Sequence, residues 1–127
     1  MLYAFLAGRV LFAFFHLSSA VNHFKSLNSY AQYAASKKVP APKLAIIGSG
    51  ILLLIGGLSV LLGYQPRIGI AALGLFYLGV TPVMHNFWAA GPQQKQNELV
   101  NFMKNVALLG ATLMFLAIPQ PWPFALH

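Results

Sequence analysis

There is no cysteine in the chain, and a single acidic side chain, Glu98, stands against eight Lys and Arg. The first absence excludes disulfides, iron–sulfur clusters and thiol chemistry within the chain. The second leaves no pair of carboxylates for acid–base work, and no thiolate or acid to complete a zinc site, so no metal site is expected. Charged residues of every kind make up 7% and hydrophobic residues 58%, whereas soluble domains carry about 25% charged residues. No stretch outside the apolar runs interleaves aromatic and basic residues in the way that stacks on bases, so nucleic acid is not an expected partner. The net charge of +7 is instead expected to meet anionic lipid headgroups or an acidic neighbouring subunit.

What is present is long apolar sequence. The run from Leu44 to Tyr64 has no charged residue and is long enough to cross the roughly 30 Å hydrocarbon core of a bilayer as one helix. Its small residues form two heptad-spaced rows, Ser49, Gly56, Gly63 and Gly50, Gly57, which lets neighbouring backbones approach closely. This helix is expected to be the hub. Three further runs follow the same rule, giving spans at about 2–23, 44–64, 68–88 and 99–118. The fold class expected is all-α, a single integral membrane domain over 1–127 built as an antiparallel four-helix bundle. Within these residues there is no room for a separate soluble domain. Arg9 interrupts the first run and no basic residue precedes it, so it reads as a span rather than a signal peptide.

Polar residues inside the spans carry the chemistry. Arg9, His16 and His23 recur at intervals of seven and so share one stripe of the first helix. An Arg within a span costs roughly 2.5–3.5 kcal/mol on insertion scales and usually faces the bundle interior or a polar cavity. Thr81 and His85 share one face of the third span, where Pro82 is expected to kink the helix near Leu78. The polar segment 89–98 reads as a loop. Asn97, Asn101, Lys104 and Asn105 then form a stripe running into the fourth span.

The connections set the topology. Leu27, Tyr30, Ala31 and Ala34 have helical spacing, so a short amphipathic helix is expected at the interface between spans one and two. Lys25, Lys37, Lys38, Lys43 and Lys95 lie on one side of the membrane and Arg67 on the other. The positive-inside rule then places the lysine-rich connections in the cytoplasm and both termini outside, as for a multi-pass protein of a bacterial-type inner membrane. His23, His85, Asn101, Lys104 and Asn105 fall toward the lysine-rich face, Arg9 toward the other, and His16 between. The proline-rich tail cannot be helical at its start, and Trp122 suits an interface.

Several of these segments together resemble the DoxX family of small four-helix membrane proteins. They are Tyr33-Ala-Ala-Ser-Lys-Lys-Val-Pro-Ala-Pro42, Gly56-Gly57 with Gly63 and Arg67, Thr81 with His85-Asn-Phe-Trp88, and Asn101-Phe-Met-Lys-Asn105 with Leu109-Gly110. The resemblance implies a membrane component associated with oxidoreductases, such as the small subunit of a thiosulfate:quinone oxidoreductase or a partner of superoxide dismutase in a membrane complex. The chain departs from the family at Leu53, where a Glu often precedes the paired glycines.

Three functional readings follow. Arg9 pairs with the terminal carboxylate of His127, an anionic lipid or an acid on another subunit, and with Trp88 and Asn101 is a candidate for lipid or partner contact. A quinone headgroup, whose carbonyls need donors, sits near His16, His23 and His85, with Lys104 and Asn105 donating; imidazole suits proton-coupled electron transfer. Nothing in the spacing selects haem or chlorin ligation. The alternative is a noncatalytic structural or assembly subunit of a larger membrane complex, or a self-associating one. A nucleophile with its base and orienting acid cannot be assembled from these residues, so autonomous catalysis is not expected.

Overall fold

The computed structural model describes residues 1–126, so the carboxylate of His127 named above as a partner for Arg9 lies outside the described residues. Helices α1 (Leu2–Lys25), α2 (Leu27–Ser36), α3 (Pro42–Leu62), α4 (Pro66–Met84) and α5 (Pro92–Met114) follow one another, with 3-10 turns at Phe87–Ala89 and Phe115–Ala117. Four segments are long and apolar enough to cross a membrane: Leu2–Lys25, Pro42–Leu62, Pro66–Ala89 and Pro92–Ala117. α1 packs mainly on α3, α3 on α4 and α4 on α5, making an all-helical bundle. Pro42 and Pro66 each open a helix after a residue in the left-handed region, a position where the missing N–H costs nothing.

α1 is polar on the inside. Its buried residues are Arg9, Ala13, His16, Ala20 and His23, while Leu11, Phe14 and Val21 point outward. That is the arrangement a membrane demands, since the outer surface meets hydrocarbon and polar groups must find partners within the bundle. α3 is the hub, and its glycines divide the work. A Cβ on Gly57 would come within 2.8 Å of Leu17 on α1, and one on Gly50 within 2.9 Å of Phe24. A Cβ on Gly56 would fall inside the contact distance of the fully buried Leu73 on α4. Gly56→Ala should therefore cost roughly 1–3 kcal/mol by overpacking. Gly74→Ala, with open space where its Cβ would stand, should be neutral or slightly stabilising. Equal denaturation midpoints for the two variants would refute this division.

α2 lies against the first half of α3. Ala31 and Ala34 are buried with Ile46, and Leu27, Tyr30, Val39 and Met84 pack around them. The spacing of the amphipathic segment anticipated this face. The third span, expected at about 68–88, is found at Pro66–Ala89; its α-helix stops at Met84 where, with Pro82 lacking an N–H, it closes through His85 N–H to Thr81 O at 3.2 Å, and a 3-10 turn follows. Two expectations need correction. The segment read as a loop up to Glu98 is helical from Pro92, with Pro at the first position. Trp122 is not at an interface: it is 2% exposed, packed against Phe5 and Phe115 where the tail folds back on the bundle.

Candidate functional site

The polar stripe of α1 meets different partners along its length. Arg9, 1% exposed, donates from Nε to Val60 O at 3.1 Å and from Nη2 to Leu61 O at 2.9 Å. Its other donors reach the tail carbonyls of Pro123 and, at 3.4 Å, Phe124. Val60 and Leu61 lie in the last turn of α3, where carbonyls have no helical partner and the dipole is negative, so a cation belongs there. The guanidinium also lies 5.6 and 5.5 Å from the ring centroids of Phe5 and Trp122.

His16 is fully buried. Its Nδ1 lies 2.8 Å from Phe12 O and its Nε2 2.6 Å from the hydroxyl of Tyr77 on α4. A carbonyl accepts only, so Nδ1 carries the proton and Nε2 accepts from Tyr77. One turn and more along, His23 donates from Nδ1 to Ser19 O at 2.7 Å, and its ring packs edge-on against Tyr30 and Phe76.

Beyond His16 the bundle opens into a cavity of about 390 Å³. His23, His85, Lys104, Asn105 and Asn101 line it together with Ser19 and Ser49 at its polar parts, and Phe15, Leu53, Phe76 and Val80 line it with apolar surface. The structure thus brings together four of the five residues singled out for cofactor binding, His23, His85, Lys104 and Asn105. His16 stands outside and touches the wall through Tyr77, its hydrogen-bond partner, and Phe15, both lining residues. Lys104 crosses the seam between α1 and α5, its ammonium 5.7 Å from the centroid of Phe15. Of the residues considered for lipid or partner contact, Asn101 donates to Asn97 O and lines the cavity. Trp88 is exposed, stacked edge-on against Phe87 and Phe102. Arg9 lies at the far end among carbonyls of its own chain.

At the cavity's lysine-rich end lies a cluster that sequence reasoning missed. Glu98, 4% exposed, accepts from the Tyr33 hydroxyl at 2.7 Å and from Lys37 Nζ at 3.1 Å. Lys37 also donates to Asn86 at 2.7 Å. His85 Nδ1 stands 3.7 Å from the same carboxylate, buried and without a hydrogen bond. Burial, reinforced by the bond to Glu98, pushes the Tyr33 hydroxyl above the ordinary phenol range, so it remains a donor. Two signals pointed here. Tyr33 and Lys37 are four apart, at the end of α2 and just past it, and a lone acid among many lysines is the group most in demand as a partner.

The polar cavity end can hold a ligand that accepts hydrogen bonds. Lys104 and Asn105 offer donors, His85 Nδ1 is a buried polar atom without a hydrogen bond, and the apolar walls suit a ring or chain. Among the described residues no three His, Cys, Asp or Glu come together as a metal site.

A family model for DoxX matches residues 4–86. That stretch includes the α1 stripe, the α3 glycines and His85, while the segment from Asn101 to Asn105 falls beyond it. Among curated proteins the chain is similar to inner membrane protein YphA of Escherichia coli strain K12. The two are 34% identical over 96 residues, covering 75% of this chain and 67% of YphA. No solved structure matches the chain. With a family model spanning well over half its length and the four-span helical bundle that the resemblance implied, the chain belongs to the DoxX family of membrane proteins.

Proposed function

We propose that this chain is a small subunit of a quinone-linked membrane oxidoreductase complex, not catalytic on its own, and that its bundle cavity holds the quinone headgroup. One observation carries the reading: a cavity of about 390 Å³ joins His23, His85, Lys104 and Asn105 to an apolar wall of Phe15, Leu53 and Phe76. A quinone would supply reversible two-electron chemistry there. Lys104 and Asn105 orient and polarise ring carbonyls by donation, the aromatic wall excludes water, and the nearby imidazoles hold protons. The electrons come from a partner subunit.

Protein purified in mild detergent from its own membranes should release an isoprenoid quinone on solvent extraction. Lys104→Leu should reduce the retained amount about tenfold, the loss of one charge-assisted hydrogen bond worth about 1.4 kcal/mol. A wild-type protein free of quinone, or equal retention by the variant, would sink the proposal.

The lysine-rich end, with its cavity, is assigned to the cytoplasmic side on the charge asymmetry of the connections. In this cysteine-free chain, a cysteine placed at Lys38 should react with an impermeant maleimide only in inverted vesicles, and one at Gln65 only in right-side-out cells. The reverse pattern would invert the topology.

A second reading has its own observation. Only Glu98, Asn105 and Thr112 of α5 are buried, one narrow stripe spaced by seven, while Val100, Met103, Val106, Leu113 and Met114 are exposed to lipid or to helices of other subunits. A purely structural subunit would keep its partners in Lys104→Leu while holding no quinone.

A further inference from the structure

The lysine-rich end of the bundle has two chambers rather than one. Beside the inner cavity lies an outer vestibule of about 460 Å³, lined by Lys37, Gln94, Asn97 and Glu98 among others. Its lining residues carry polar groups, while their carbon stems and the Tyr33 ring supply the larger part of the wall. Tyr33, His85 and Asn101 line both spaces, so these residues form the partition.

Within that partition His85 occupies an unusual position. Its Nδ1 faces Glu98 Oε2 at 3.7 Å, is buried, and has no hydrogen bond. Its Nε2 makes no hydrogen bond to any described residue either. The carboxylate it faces accepts from Tyr33 at Oε1 and from Lys37 at Oε2, the oxygen that His85 also faces. The charged and titratable groups around this ring are Glu98 and Lys104 from α5, Lys37 after α2, Tyr33 and Tyr30 from α2, and His23 from α1 across the cavity.

We propose that Glu98 and His85 carry protons one at a time between the vestibule and the cavity. In each passage the O–H bond of protonated Glu98 breaks and its proton goes to His85 Nδ1. Rotation of the resulting imidazolium about Cβ–Cγ turns that Nδ1–H toward an acceptor in the cavity, where the bond breaks, and rotation of the neutral ring, still protonated at Nε2, resets the path. Vestibule water reprotonates Glu98. Catalytic hydrogen bonds are often long before ligand binding and tighten with it, and a small rotation of His85 closes 3.7 Å to bonding distance. Tyr33 and Lys37 hold the carboxylate in place between passages. The path itself needs only the two chambers and the partition; that its cavity-side acceptor is a quinone rests on the reading above.

Two measurements separate the path from that reading. In ligand-free protein labelled with ¹⁵N-histidine, exchange of the His85 ring N–H with bulk water should slow at least tenfold in Glu98→Gln, and Glu98→Asp should restore it. Unchanged exchange in Glu98→Gln overturns the path whether or not any quinone binds. Protein loaded with decylubiquinone is then reduced at an electrode, where two electrons and two protons delivered singly through His85 convert the bound dione to the diol. Glu98→Gln should retain the quinone within twofold and lower the proton-limited reduction rate at least tenfold. Retention with an unchanged rate refutes the path and spares the quinone site. If decylubiquinone fails to load the wild type, the quinone reading falls, and the exchange result alone decides the path.

Discussion

Replacing Arg9 with Leu is expected to destabilise the bundle by about 3 kcal/mol and to free the tail. The guanidinium joins the last turn of α3 to the tail through Val60 O, Leu61 O, Pro123 O and Phe124 O. A hydrogen bond to a charged group contributes roughly 1.5–3 kcal/mol, and a buried acceptor left alone costs about 1–3. Against these losses stands the desolvation cost that Leu no longer carries, so the net is well below the sum. Leu also removes the cation from between Phe5 and Trp122. Arg9→Lys keeps the charge but cannot fork toward carbonyls on two segments, and should lose about half as much. Titration with a denaturing detergent gives the stability, and limited proteolysis after Ile118 reports the tail. A Leu variant as stable and as protease-resistant as the wild type would mean that the carbonyl cluster does not need its cation.

How far these features could be read without coordinates differs from element to element. The four spans and the hub were legible because apolar runs and heptad-spaced glycines are direct consequences of bilayer thickness and close helix approach. The stripe of Arg9, His16 and His23 was legible for the same reason: spacing by seven fixes a helix face. The partners of those residues were not. Arg9 is met by backbone carbonyls, which every residue has, and no pattern of side chains marks which carbonyl a helix end leaves free. Tyr77 was hidden as one aromatic among many in an apolar run. Glu98 was misplaced by its neighbours, since Pro, Gln, Lys and Asn read as a loop, although Pro92 at a first helical position begins α5 six residues before it. Trp122 was misjudged because a proline-rich tail says that it is not helical and says nothing of where it folds back.

Glu98 accordingly carries the second large expectation. Glu98→Leu should cost about 2–4 kcal/mol and detach the end of α2 from α5, whereas Glu98→Gln should remain within about 1 kcal/mol of wild type. The carboxylate is 4% exposed and is what Lys37 and Tyr33 both reach from the α2 side. Removing one partner of a buried ion pair strands the other, which is the expensive change, and Leu offers no acceptor in return. Gln keeps an acceptor for Tyr33 or Lys37, and Lys37 retains Asn86 Oδ1 at 2.7 Å. The two variants therefore differ in fold but share the loss of a proton-carrying group. Hydrogen exchange of the α2 amides distinguishes them: protection should fall in Glu98→Leu and persist in Glu98→Gln. If both variants lose protection equally, the negative charge itself holds α2. If neither does, the packing of Ala31 and Ala34 on Ile46 suffices, and the conservation of α2's position in the variants would leave Glu98 with the partition at His85 as its one task.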